Sequence, residues 1–499
     1  MHDEATSRLP TRVIDVTHDN PRLVEPQGES SQYVALSHCW GKSKTVVTDT
    51  CTLSSRKKGI EFCSLPKTFQ DAIIVTRRLG YRYIWIDSLC IVQDSQSDWQ
   101  REAAMMGDYY GQAHLTIFAT SADGDHVGFL NARTPGTSNP VKLTLDLPNG
   151  EIGTIFVALG LPNAVASAFY RNVEQSPINT RAWILQERAL SPRILHYGKE
   201  QTFWECRSFE LSEDGSIHSR GLSGLQRGFG AKLWMLTDSD NGPRTGDARY
   251  EDMVRFEWQT LVKAYTKRNL TKPSDKLPAI SGLAHRVPAI FRTKYCAGLW
   301  ESGMRHSLDW VASNPSEPLE EYRAPSWSWA AVNSKVSFTD ERSLNEKTPV
   351  FAVEKVDVEL LSEDEYGQIK SASLTVRGYL LSLNSTQKPF FFQNKDEDEV
   401  GALQEDPARA TNPVQLEVTD ATGGVVGWVA PDRTHPAPQV LPCLILYRCR
   451  DKYDEGYYSA IFLEAVNPEN SPTCFRRFGR GSVWDINIES ARPQSILLV

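Results

Sequence analysis

Residues 81–94 read YRYIWIDSLCIVQD, and the fold turns on how that stretch is read. Tyr83-Ile-Trp-Ile86 is a short, unbroken run of β-formers, as in a strand covered on both faces. It runs directly into Asp87, Ser88, Cys90, Gln93 and Asp94. A buried strand that stops in small polar and ionisable side chains presents them at its carboxyl edge, where open parallel sheets bind ligands. Taken alone, the stretch is better explained by Asp87 and Ser88 satisfying turn amides and Cys90 filling core space. The flanking sequence changes that balance.

Upstream, Tyr33–Gly41 (YVALSHCWG) has the same form: an apolar run ending in Ser37, His38 and Cys39, with Gly41 to turn the chain. Between the two runs a helix is signalled, with Ser64 as its cap, Pro66 in its first turn and Gly80 at its close. Phe69, Ala72, Ile73, Thr76 and Leu79 share one face of it. Downstream, Ser97-x-x-Gln100 has the form of a capping box and opens a second helix, with Trp99, Ala103, Met106 and Tyr110 along one side. A third apolar run, His114–Ala119, ends in the polar segment Thr120–Asp125. Strands alternating with helices predict a parallel, flavodoxin-like α/β sheet with right-handed crossovers. All three polar tips, at 37–41, 87–94 and 120–125, are then expected on one edge.

The remaining sequence divides by texture. Residues 1–30 read as a loosely packed arm, 31–210 as the α/β domain, 211–330 as a helical middle region with a loop insertion, and 331–499 as a β-rich domain. Residues 131–180 hold only β-like pieces, at Val141–Leu147 and Thr154–Leu159. Thr180–Leu190 reads as a helix start with Trp183 and Glu187 one turn apart, and Ser191–Tyr197 and Thr202–Cys206 read as strands of a hairpin around Gly198. An amphipathic helix carries Val254, Trp258, Leu261, Val262 and Tyr265 on one face, and another follows around 276–287. Residues 312–326, rich in Pro and Glu, read as a boundary. Beyond about 345, the runs Val350–Leu360, Ala372–Leu383, Val414–Val418, Val425–Val429, Leu441–Tyr447 and Tyr458–Leu463 predict a mainly antiparallel sheet.

Composition narrows the function. A 499-residue chain that is 40% hydrophobic and 23% charged has the make-up of an ordinary globular protein with room for two or three domains. A net charge of −8 gives no basic footprint for nucleic acid, and no apolar run reaches the length of a membrane span. The polar N-terminus and nine scattered cysteines without a Cys-x-x-Cys pair suggest reduced thiols in a cytoplasmic setting.

Three chemistries can be built at the predicted sheet edge. A thiol site would use Cys90 or Cys39 as nucleophile, His38 as base and Asp87 to orient it. A carboxylate site would use Glu187, alone or with Asp87, provided Glu187 is not merely paired with Arg181 or Arg188 on the helix surface. A metal site from His38, Asp87 and Asp94 lacks any ligand-spaced motif and is set aside. Gly-x-Ser-x-Gly, Walker and Gly-x-Gly-x-x-Gly motifs are absent from the sequence, so no resident cofactor is implied.

The motifs YVALSHCWG (33–41), LPKTFQD (65–71), YIWIDSLCIVQD (83–94), DWQRE (98–102), RAWILQE (181–187) and LSPR (190–193) resemble the heterokaryon incompatibility (HET) domain of filamentous fungi. Later blocks, YTKRNLTKPSDKLPA (265–279), AGLW (297–300) and APSWSW (324–329), resemble the region that often follows it. The resemblance implies an intracellular fungal protein of non-self recognition and programmed cell death, and a remote likeness to Toll/interleukin-receptor (TIR) domains. Many enzymatic TIR domains cleave the nicotinamide–ribose bond of NAD with a Glu in a Trp-x-x-x-Glu context. Carried over, this makes Glu187 the catalytic carboxylate and NAD a substrate, with Ser37, His38, Cys39, Trp40, Asp87, Ser88 and Trp183 around it. Two alternatives stay open: a non-enzymatic module that signals through a protein partner or self-assembly, and a small-molecule enzyme using His38, Asp87 and Cys90.

Overall fold

The computed structural model describes residues 6–42, 45–132, 141–146, 151–157, 168–206, 209–215, 217–219, 248–287, 293–338, 346–390, 415–450, 456–466, 473–488 and 491–499. The chain divides into two compact units, 1–238 and 239–499.

The first unit is built on strands β1 (Val13–Asp15), β2 (Arg22–Val24), β3 (Tyr33–Ser37), β4 (Tyr83–Trp85), β5 (Leu115–Phe118), β6 (Arg193–Tyr197), β7 (Thr202–Cys206), β8 (Phe209–Ser212) and β9 (Ile217–Ser219). They form one nine-stranded sheet in the order β9-β8-β7-β6-β5-β3-β4-β1-β2. The expected parallel sheet is therefore a mixed one. Strands β4, β3, β5 and β6 are parallel neighbours, whereas β1 and β2 on one flank and β7, β8 and β9 on the other run antiparallel. Hairpins, not crossovers, extend the sheet at both ends. Numbered by chain order, the parallel strands lie 2-1-3-4, so the order reverses between β3 and β5.

Residues 13–24, read as part of a loose arm, supply β1 and β2, and Val13, Ile14 and Leu23 are buried. Helix α1 (Lys67–Arg78) starts at Pro66 and ends before Gly80, which takes φ +82°. Ser64 does not cap it; its hydroxyl donates to the Glu61 carbonyl at 2.7 Å. Phe69, Ala72, Ile73 and Thr76 are buried as expected, but Leu79, past the last turn, is 48% exposed. Helix α2 (Gln96–Gln112) is capped by Ser95 rather than Ser97: the Ser95 hydroxyl accepts from the Asp98 amide at 3.3 Å. The Val141–Asp146 and Ile152–Val157 pieces pair as an antiparallel hairpin. Helix α3 (Ile184–Leu190) follows Trp183 and leads into β6.

In the second unit, α4 (Ala248–Tyr265) buries Val254, Trp258, Leu261, Val262 and Tyr265, the face that its apolar period marks out. Helix α5 (Pro278–Ala284) is buried along its length. Strands β10 (Trp310–Ala312) and β11 (Val336–Phe338) pair antiparallel, and the compact unit runs through the expected boundary at 312–326. The C-terminal sheet has ten strands: β12 (Glu346–Pro349), β13 (Ala352–Leu360), β14 (Ile369–Gly378), β15 (Leu380–Pro389), β16 (Leu416–Thr419), β17 (Val425–Pro431), β18 (Val440–Arg450), β19 (Gly456–Ala465), β20 (Cys474–Val483) and β21 (Gln494–Leu498). The order β12-β18-β15-β16-β17-β20-β21-β14-β13 is closed by β19, which pairs with both β18 and β20. A six-stranded ring results, filled by Leu441, Cys443, Ile445, Phe462 and Phe478. Strands β12 and β13 are the outermost of the sheet. Strands β20 and β21 lie where the sequence reading places none.

Candidate functional site

The parallel pairing fixes where the polar tips emerge. Ser37 of β3 is level with Phe118 of β5, which is level with His196 of β6, and Ala35 is level with Trp85 of β4. Segments 37–41, 87–94 and 120–125 therefore leave the sheet at one carboxyl edge. Side chains tie them together. The Trp40 indole donates to Asp87 Oδ2 at 2.9 Å, and a Cβ on Gly41 would lie 2.9 Å from the Gly124 Cα. Gly41 also has φ +82°, so two independent reasons require glycine there.

Helix α3 brings the remaining group. Ser37 Oγ donates to Glu187 Oε2 at 2.6 Å. Glu187 thus meets the tip of β3 at the reversal of strand order, the position where α/β sheets place ligands. It is 3% exposed, and burial raises its carboxyl to about 7; Asp87 pushes the same way, against Arg181, Ser37 and Tyr110. Such a group is about half ionised at neutral pH. Pairing with Arg188 is excluded, because Arg188 binds Glu174 and Glu205, each at 2.8 Å. Arg181 instead donates to the His38 carbonyl.

His38 is buried, and its imidazole lies edge-on to Phe69 with ring centroids 5.0 Å apart. Burial lowers it to about 4, with Arg181 adding to the effect and Asp87 and Asp125 opposing it. It is neutral at physiological pH. The 3.8 Å approach of Nδ1 to Asp87 Oδ1 is therefore not an ion pair. Asp87 is half-buried and also accepts from the Ser88 amide at 2.6 Å. Cys39 and Cys90 are buried, and that burial pushes their thiols up to about 11 and about 12. A nucleophilic cysteine needs the opposite shift.

The arrangement has a buried floor of Ser37, His38, Ser88 and Glu187 under a half-buried rim of Trp40, Asp87, Arg181 and Trp183. Trp183 meets Trp99 edge to face at 6.5 Å. His38 Nε2, Ser88 Oγ and Asp125 Oδ2, one from each tip, are buried without a hydrogen-bond partner among the described residues. Buried polar atoms are nearly always satisfied, so orphans on three separate tips of one sheet edge are exceptions to the rule. Asp94 turns away and accepts from Thr50 at 2.9 and 2.7 Å. Among the described residues no group of three or more His, Cys, Asp or Glu side chains is placed to hold a metal ion.

Sequence reasoning missed Arg181, Tyr110 and Asp125 as members of this cluster. Tyr110 donates to the Leu36 carbonyl at 3.0 Å and also supports the ionised Glu187. The remaining motif residues brace the edge. Asp71 is buried and accepts from the Phe129 and Leu130 amides at 2.8 and 3.0 Å and from Lys67. Thr68 takes the Asp125 carbonyl on its amide at 2.8 Å. Asp98 and Glu102 pair with Arg12 and Arg101, behind the Cys90 carbonyl that Arg12 holds at 2.5 Å.

No curated protein and no solved structure matches the chain. No described helix is long and apolar enough to cross a membrane. Residues 33–187, from the first residue of β3 to the carboxylate that meets its last, match the family model of the heterokaryon incompatibility protein (HET). The chain accordingly carries a HET domain at residues 33–187.

Proposed function

We propose that the HET domain is a glycohydrolase that cleaves the nicotinamide–ribose bond of NAD, and that the protein acts as a cytoplasmic effector of non-self recognition and cell death. The observation that carries this reading is the Ser37–Glu187 hydrogen bond, 2.6 Å long, which joins the Trp-x-x-x-Glu helix to the tip of β3. The 2-1-3-4 order of the parallel strands also supports the remote TIR-like, flavodoxin-like reading. In the proposed step the glycosidic C–N bond breaks with its electron pair going to the pyridinium nitrogen, which leaves as neutral nicotinamide. Ionised Glu187 stabilises the oxocarbenium ion that remains. Water then adds to the ribose carbon, and its proton passes to Glu187. The orphaned His38 Nε2 and Asp125 Oδ2 face polar groups of the ribose, and Trp183 forms a wall.

The test is nicotinamide release from NAD by the full chain. Glu187→Gln is expected to lower the rate by at least about 100-fold, the size of effect seen when one charge-stabilising group is lost. Equal turnover in both proteins would end the proposal.

Burial favours a second reading. Ser37, His38, Cys39, Ser88, Cys90 and Glu187 are all buried, as in a structural lattice. On that reading the domain is a non-enzymatic module, and toxicity on expression in a fungal host follows assembly with itself or a partner. Glu187→Gln would then leave toxicity intact. The small-molecule alternative built on Cys90 is disfavoured by the upward shift of that thiol.

A further inference from the structure

The second unit contains a groove of about 770 Å³ bounded by segment 319–326, β13, β14, the turn after β17 and the start of β20. Arg323, Arg433 and Arg476 line it. Arg433 is half-buried and Arg476 is exposed, and neither guanidinium makes a hydrogen bond or ion pair with a described residue. Asp432 and Glu464 attract Arg433 without a hydrogen bond to it: Asp432 Oδ2 accepts from Arg477 at 2.7 Å, and Glu464 lies 3.5 Å from His435. Arg323 is buried and donates only to neutral oxygens, the carbonyls of Ala330, Val332 and Pro273 and the side chain of Asn333, at 2.7 to 3.2 Å.

Behind Arg323 lies Lys276, an amine that burial and Arg323 push down to about 7. Lys276 is buried, with its ammonium 5.7 and 6.0 Å from the Tyr265 and Trp329 rings and no carboxylate partner among the described residues. Two neighbouring guanidiniums whose donors no described carboxylate takes up are the usual receptors for phosphate. Of the three acids on the groove, Asp357 holds Lys355 at 2.7 Å and Glu359 holds Lys370 at 2.6 Å, while Glu321 stands on the same segment as Tyr322 and Arg323. Tyr322, also on the groove, is 53% exposed, with its hydroxyl held by the Ala372 backbone. A fixed, solvent-facing ring beside unpaired arginines suits a planar base joined to a phosphate. The volume lies within the range of small-molecule sites.

We propose that this groove binds a nucleoside phosphate, with the phosphate between Arg433 and Arg476 and the base against Tyr322. The proposal is independent of the reading of Glu187. It is tested by calorimetric titration of ADP, adenosine and inorganic phosphate into the full chain carrying Glu187→Gln, which keeps NAD-type turnover out of the measurement. ADP is expected to bind at least about tenfold tighter than either fragment, and Arg433→Ala with Arg476→Ala to weaken it at least about tenfold, one good charged contact being of that size. Tyr322→Ala should weaken ADP while leaving inorganic phosphate unchanged. Arg476→Glu, at an exposed position, gives the same loss without disturbing the fold, checked by an unchanged melting temperature. Absence of ADP binding at about 1 mM, ADP binding that survives the double substitution, or phosphate binding as tight as ADP would each overturn the proposal.

Discussion

Glu187 sets the first expectation at the scale of a single side chain. Its folded value near 7 exceeds its ordinary 4.5, so the folded protein keeps a proton that the unfolded chain has lost. Stability from this group is fully retained below about pH 4.5 and falls as pH rises through 7, by about 3 kcal/mol in all. Glu187→Gln has no proton to lose. Its melting temperature is expected to exceed that of the wild type above pH 7.5 and to converge with it at pH 4.5, provided both are measured in one buffer series. A variant that tracks the wild type at every pH would show that Glu187 is solvated. Part of this site was legible in the residues: Ser37, His38, Asp87 and Glu187 could be gathered on one edge because each ends or follows a strand or helix with a clear pattern. Arg181 and Asp125 were not, because they act on a main-chain carbonyl and as an orphaned acceptor, relations that leave no spacing to read.

At the scale of elements, α1 and the loop at 124–130 behave as one piece. Asp71→Ala would leave the Phe129 and Leu130 amides and the Lys67 ammonium unpaired, a loss of about 3 kcal/mol. Urea denaturation measures it, and a change under about 1 kcal/mol would mean that the loop is held by something else. The helices were legible because Phe69, Ala72, Ile73 and Thr76 keep a 3.6-residue period and Gly80 stops the turn. Their starts were not: Ser95 and Ser97 sit two apart, and which hydroxyl reaches the Asp98 amide depends on backbone geometry. Strands β1 and β2 escaped because three-residue strands carry no usable alternation. The hairpin around Gly198 was legible and joins β6 to β7, whereas the antiparallel pairing of β1 with β4 was not.

The whole molecule consists of two units with separate cores, and calorimetry is expected to resolve two transitions. Glu187→Gln at pH 8 should move one of them and Arg477→Met the other. Arg477 is buried, holds Asp432, the carbonyls of Leu308 and Trp310, and the face of the Trp310 ring at 3.6 Å. Removing it leaves Asp432 as an uncompensated charge, at a cost of about 3–5 kcal/mol. Both transitions moving together with either substitution would show that the units melt as one. The outermost strands of the β-rich sheet bear on how copies of this protein meet. Strand β13 carries Glu354, Lys355, Asp357 and Glu359, and β12 is four residues long and stops at Pro349. Both margins are armoured against backbone-to-backbone docking by a neighbouring copy. Filaments that grow by adding strand to strand would therefore not be seeded at either of these two margins.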